Sequence, residues 1–274
     1  MTMDRDRPAE RVAEHHARGR GLTRIGYPIE VRPATVSGID WVTPRMLRLT
    51  LTGDEIAGLH SYVADDHVKL VFPLADGTRN DPVPAEGQML EWRRPHPPTR
   101  TYTIRRFDRA AREIDLDFVV HDAGLASDWA RAATVGAEAV IAGPPGAKAF
   151  AHTHRHYVLA VDTTGLPAVA RWLEEADWLA DAGAGVDVLI DHDDAEETTY
   201  PLPERDGVRL RWLDRARGSR LGEELRALDV PEDTFVLGAG EAEDLKQVRA
   251  WVSEHGYAAS ITGYWKRGVA GLDD

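Results

Sequence analysis

The chain has 274 residues, 43% of them hydrophobic, with 46 acidic residues against 33 basic ones and no cysteine. The length suits two domains better than one; the net charge of -13 argues against general binding of nucleic acid or anionic membranes, and the lack of cysteine removes disulfides, thiolate ligands and cysteine-held iron–sulfur clusters. No apolar run approaches the ~20 residues that cross a bilayer, and the charged opening "MTMDRDRPAERVAEHHARGRG" lacks the apolar centre of a secretory signal, so no stable membrane insertion and a cytoplasmic location are expected.

In chain order, residues 1–21 read as a polar helix or arm. From Tyr27 strands follow: "YPIEVRPATVSGI", then "RMLRLTLTG" with Met46, Leu47, Leu49 and Leu51, then "DHVKLVFP". Residues 76–98, "DGTRNDPVPAEGQMLEWRRPHPP", are rich in Pro and Gly and read as a long excursion loop. "RTYTIRRFD" and "EIDLDFVVHD" are two further strands, the second alternating Ile114, Leu116, Phe118 and Val120 on one face. "LASDWARAA" is a short helix with Ser127 near its start as a capping hydroxyl, and "EAVIAGPPGA" is a strand ending in a Pro–Gly stop. About six strands and one helix predict a small antiparallel barrel over residues 22–148.

The pattern changes near residues 148–156. "HYVLAVD" is a buried-type strand and "LPAVARWLEEADWLA" an amphipathic helix; "VDVLID" and "GVRLRWLD" are strands, "LGEELRALD" a helix, "TFVLGAG" a strand, "EAEDLKQVRAWVSEHG" a long helix, and "ASITGYWKRG" ends the pattern. Such alternation predicts an α/β domain with a mostly parallel sheet over residues 149–274.

Four stretches carry candidate chemistry. In "RTYTIRRF", strand alternation puts Arg100, Tyr102 and Ile104 on one face and Thr103, Arg105 and Phe107 on the other. The arginines either protect a strand edge or build a pocket for a flavin dinucleotide, with Tyr for the ring, Thr for its edge and Arg for the pyrophosphate. In "HDAGLASDWARAA", Gly124, Ala126 and Ser127 let backbone N–H groups approach a pyrophosphate. "DTTGLPAVA" and "LGAGEAED" each follow a buried strand and open a helix, where open parallel sheets bind ligands. "GYWKRG" sets two aromatics beside Lys266 and Arg267. Elsewhere, His152, His154 and His156 have metal-ligand spacing but read as surface residues at the junction, and "DHDDAEE" reads as a solvated acidic loop. No G-x-S-x-G elbow or complete P-loop occurs.

Together with "HVKLVFP" and "VIAGPPG", and in this order, these motifs resemble the siderophore-interacting proteins, flavin-dependent ferric-siderophore reductases of the ferredoxin-reductase-like superfamily, over nearly all of residues 25–270. The resemblance implies a six-stranded Greek-key flavin-binding barrel followed by an NAD(P)H-binding α/β domain, which pass electrons from NAD(P)H through FAD to an Fe(III) siderophore and release Fe(II). It assigns Arg100, Tyr102 and Thr103 to the pyrophosphate, ring face and ring edge of FAD. His121, Ala126, Ser127 and the backbone of Val119 continue that cradle. Thr164, Gly240 and Glu241 line the nicotinamide-nucleotide side, and Lys69, Lys266 and Arg267 face the anionic chelate. No catalytic acid or base and no resident metal are expected, and the chain is expected to act as a monomer.

Residues 161–168 depart from the pattern. The family usually has Gly-Asp-Glu-Thr-Ala-Leu-Pro-Ala where this chain reads "VDTTGLPA". Val161 and Thr163 are expected to weaken the pyridine-nucleotide site, which motivates one alternative, a siderophore-binding module without turnover; a further alternative is a flavin reductase feeding a protein electron carrier. In "DRARGSR", Arg217 or Arg220 is a candidate seat for a 2′-phosphate, or part of a solvated turn.

Overall fold

The structure is a computed structural model that describes residues 4–121 and 124–269. The ends of the expected N-terminal arm and C-terminal segment, and Asp122 and Ala123 of the cradle motif, lie outside the described residues. The chain divides into two compact units, one holding most of the chain up to Lys148 and the other most of the chain from Ala149. Among the described residues no helix is long and apolar enough to cross a membrane.

The amino-terminal part opens with helix α1 (Pro8–Arg18) and strand β1 (Leu22–Gly26). Then come β2 (Val31–Thr43), β3 (Met46–Thr52), β4 (His67–Val71), β5 (Val83–Ala85), β6 (Met89–Glu91), β7 (Thr99–Asp108) and β8 (Glu113–Val119). Helix α2 (Leu125–Ala132), β9 (Glu138–Ala142) and β10 (Gly146–Phe150) complete it. Six strands close a barrel in the order β2-β3-β8-β7-β4-β9; β1 pairs with β10, and β5 with β6. The β5–β6 hairpin lies inside the segment expected to be a plain loop. Its tight turn uses Gly87 at φ 69°, a conformation open to glycine.

Period-2 patterning explains the barrel core. Leu47 pairs with Phe118, Leu49 with Leu116 and Leu51 with Ile114, and all six are fully buried. Each contributes roughly 1.5–3 kcal/mol on burial. The intervening positions carry charge: Arg48 grips Asp117 at 2.6 and 2.8 Å, Thr50 donates to Asp115 at 2.8 Å, and Arg106 reaches Asp115 at 2.7 Å. A one-residue slip would turn that ladder into the apolar barrel core, so these pairs select the register. In β7 the expected alternation fails. A bulge between Ile104 and Arg106 shifts the register with β8, so Phe107 packs against the same core as Ile104.

Arg32, on β2, is the largest of the fully buried side chains. Its guanidinium donates to the carbonyls of Glu55 (3.0 Å), Gly143 (3.0 Å) and Gly58 (3.2 Å), with Glu30 supplying the countercharge. A buried cation survives here because its donors have partners.

The carboxy-terminal unit contains β11 (His156–Asp162), α3 (Leu166–Glu175), α4 (Trp178–Ala182), β12 (Gly185–His192), β13 (Val208–Asp214), α5 (Leu221–Arg226), β14 (Thr234–Glu241), α6 (Leu245–His255) and β15 (Ala258–Trp265). Its five-stranded sheet is parallel throughout, in the order β13-β12-β11-β14-β15. The central strands β11 and β14 are buried along their whole length, as expected of a sheet covered on both faces. The single helix expected after β11 is split in two. Arg205 takes the carbonyls of Leu173 (2.8 Å) and Glu174 (2.7 Å) and pairs with Asp177 (2.6 Å), closing α3 where the amphipathic pattern would have continued.

The three histidines expected at the surface are packed instead. The ring of His152 lies between His16 (3.9 Å) and Trp178 (4.0 Å) because α1 runs against it. His154 bonds Asp233 at 2.7 Å, and buried His156 bonds Asp187 at 2.9 Å. Arg209 also grips Asp187, at 2.9 and 2.6 Å. Burial alone would raise the Asp187 carboxyl, but the hydrogen bonds and charges of His156 and Arg209 hold it well below the usual carboxylate range.

Candidate functional site

In the barrel unit the site begins on β7. Tyr102 is half-buried, its ring centre 4.2 Å from that of Phe118, and burial pushes its phenol up. Phe118 contacts Trp129 of α2 at 5.9 Å, and Trp129 meets Phe72 edge-on at 5.8 Å. This aromatic chain fastens α2 to the barrel wall that carries Tyr102. Thr103 is buried and pairs with His67, and Lys69 pairs with Thr101 and Ala142. Half-buried Arg100 donates a hydrogen bond, at 2.7 Å, to the carbonyl of its neighbour Thr99.

Ser127 does not cap α2 as expected. It is the third helical residue, buried, and its hydroxyl accepts from the His121 N–H (3.2 Å) and donates to the His121 carbonyl (3.1 Å). Among the described residues no side chain caps the first-turn N–H groups around Leu125 and buried Ala126, although the Gly124 N–H before them goes to the Asp128 carboxylate at 3.3 Å. Val119 ends β8 opposite Met46, and His121 is exposed. An Arg fork, an uncapped helix head and a tyrosine braced from behind are the donor set that a ring-bearing pyrophosphate requires, so the residues present fit FAD.

In the α/β unit the carboxyl edge of the sheet is organised by Asp162, which sequence reasoning passed over. Buried at the end of β11, it accepts from the Thr164 N–H (2.9 Å) and hydroxyl (2.5 Å), the Glu241 N–H (2.9 Å) and the Trp265 indole (2.8 Å). Gly240 permits this convergence: at φ 145°, a Cβ there would stand 2.6 Å from the Asp162 carboxyl carbon. Glu241 is buried too. Burial would raise its carboxyl, but N–H groups of Arg267, Asp244 and Glu243 and the Arg267 charge hold it below its ordinary value.

The basic candidates there are engaged. Lys266 bonds Glu243 at 3.0 Å, and Arg267 grips Asp244 at 2.7 and 3.2 Å. Arg215, another residue not singled out from sequence, is buried and pairs with Asp193 (2.8 Å) and Asp162 (3.5 Å). Arg220 pairs with Glu224 at 2.8 Å, whereas exposed Arg217 has no hydrogen bond or ion pair among the described residues. Asp191, fully buried at the end of β12, leaves one carboxyl oxygen unbonded among the described residues; burial pushes it up to about 6 against hydrogen bonds from Ser219 and Arg220.

The departure at residues 161–168 is a packing exchange. Val161 is fully buried, and a Cβ added to Gly165 would stand 2.8 Å from the Val161 Cβ. The bulk absent at 165 is supplied from 161.

A six-stranded antiparallel barrel followed by a parallel α/β unit is the build of a flavoprotein reductase. Residues 35–148 match the siderophore-interacting FAD-binding domain and residues 154–268 the siderophore-interacting protein domain. The chain is 30% identical over 229 residues to the NADPH-dependent ferric-chelate reductase of Escherichia coli, covering 82% of this chain and 87% of that protein. It is 29% identical over 240 residues to the ferric vibriobactin reductase ViuB of Vibrio cholerae (83% and 86%). A siderophore utilization protein from T. fusca superposes with a TM-score of 0.82 at 37% identity, over 92% of this chain and 98% of that one. The chain belongs to the siderophore-interacting protein family.

Proposed function

We propose that this protein is an FAD-dependent ferric-siderophore reductase that takes electrons from NAD(P)H and releases Fe(II) in the cytoplasm, acting as a monomer. The observation that carries the reading lies in the barrel unit: Arg100 and Tyr102 stand two residues apart on β7, and Phe118, on which Tyr102 is braced, also packs against Trp129 of α2. Bound there, FAD supplies the exchange between a two-electron hydride donor and a one-electron iron acceptor. Arg100 and the N–H groups near Ala126 hold its pyrophosphate; Tyr102 and Thr103 orient the ring; Ser127 keeps the Val119–His121 segment against α2. Thr164, Gly240 and Glu241 shape the nicotinamide side, the last two through Asp162 and the head of α6.

The acceptor is an Fe(III) chelate with hard, anionic oxygen ligands. Reduction lowers the metal charge and loosens those ligands, so no protein acid or base is needed. Lys69, Lys266 and Arg267 attract the chelate against an acidic body through their positive charge. The test is anaerobic. Chemically reduced holoprotein is mixed with a ferric siderophore while flavin reoxidation and Fe(II) capture by a ferrous-specific chelator are followed. Reoxidation with stoichiometric Fe(II) is expected. Colourless protein that takes up no added FAD, or reduced flavin that ignores the chelate, would sink the reading.

A further inference from the structure

An open parallel sheet normally offers a nucleotide's phosphates the peptide N–H groups and helix heads at its carboxyl edge. In this chain several of those donors are committed internally. At the head of α3, Thr164 gives both its N–H and hydroxyl to Asp162, Leu166 gives its N–H to the Thr163 carbonyl, and Pro167 has none. At β14 the Glu241 N–H also goes to Asp162, and at the head of α6 the N–H groups of Glu243 and Asp244 go to Glu241. The cations are occupied in the same way, Arg215 by Asp193, Lys266 by Glu243 and Arg267 by Asp244. A pyrophosphate could regain these donors only by expelling two carboxylates that are themselves buried.

We propose that the electron-donor site recognises the dihydronicotinamide and leaves the pyrophosphate and adenosine half of the nucleotide essentially unread, so that its substrate class is reduced nicotinamides in general. The proposal rests on the reductase reading above. It places the carboxylates Asp162 and Glu241 where a pyrophosphate-binding site would carry free donors, and it makes them fixed parts of the edge. Arg217 is the exception, exposed and unpaired among the described residues. A single exposed ion pair of this kind adds about fivefold or less, so NADPH gains only that much over NADH.

Anaerobic stopped-flow reduction of the holoprotein by NADPH, NADH and reduced nicotinamide mononucleotide tests this. Second-order rate constants within about tenfold of one another are expected. Two or three charge-assisted bonds to a pyrophosphate would instead separate NADPH from the mononucleotide by several hundredfold or more, and that result overturns the proposal. A second readout needs no turnover: calorimetric titration with ADP-ribose and its 2′-phosphate is expected to show no saturation in the low-millimolar range. A Kd below roughly 0.1 mM for either would overturn it. Failure of every nicotinamide to reduce the flavin would remove the donor reading and this inference with it. Electron delivery from chemically reduced protein to the ferric chelate would still test the reductase reading alone.

Discussion

Arg100→Ala separates binding from folding. The side chain is half-buried on β7, and it donates a 2.7 Å hydrogen bond to the adjacent Thr99 carbonyl, a local contact whose loss costs at most about 1 kcal/mol. Melting should therefore shift by only about 2–4 °C in a chain of this size. A guanidinium on a phosphate contributes about 1.5–3 kcal/mol, which corresponds to roughly a 10- to 150-fold loss in FAD affinity. Arg100→Lys should recover part of it, because an ammonium keeps the charge without the planar fork. The assay is a fluorescence titration of flavin-depleted protein with FAD and with riboflavin, which has no phosphate. The penalty should appear with FAD and vanish with riboflavin. An unchanged FAD affinity, or an equal loss for both flavins, refutes the clamp.

Gly165→Ala should destabilise by about 1–3 kcal/mol by overpacking against Val161, and Val161→Gly in the same chain should return most of it; denaturant midpoints for the four proteins of that cycle decide, additivity being the negative result. Asp187→Ala strands His156 and Arg209 and should cost roughly 3 kcal/mol. Because the folded state depresses the Asp187 carboxyl, its contribution is complete above the ordinary carboxylate range and is lost as pH falls through and below it; the acid limb of the wild-type stability curve should be flatter in the variant. Burial and the neighbouring imidazoles lower His16 to about 4 and His152 to about 3, so their stacking is fully stabilising above about 6.5 and is lost as pH falls toward those values. Hydrogen-exchange protection factors over Glu14–Arg18 should fall between pH 7 and 4.5, and equal protection at both would count against it.

The parts readable from sequence were those whose cause is local or periodic. Leu47, Leu49 and Leu51 facing Ile114, Leu116 and Phe118 follow from one-sided burial of a strand, and the strand–helix alternation after His156 follows from a sheet covered on both faces. What escaped depends on partners distant in sequence. The split between α3 and α4 needs Arg205, the β7 bulge needs β8, and the hub at Asp162 draws its donors from residues 241 and 265. Lys266 and Arg267 looked like open cations because Glu243 and Asp244, which hold them, sit on another element. Ser127 was recognised as important at its helix, but a hydroxyl near a helix start does not reveal whether it will bind the helix or the segment before it.

Arg32 has an evolutionary corollary. Three of its four contacts are main-chain carbonyls, which every amino acid possesses, so substitutions at residues 55 and 58 leave the acceptor atoms in place so long as the backbone keeps its path, whereas Gly143, at φ 98°, is held to glycine. The loops around the barrel rim can drift in identity while one interior guanidinium preserves their position. The cost falls on residue 32 itself: lysine cannot span the same set of acceptors from one point charge.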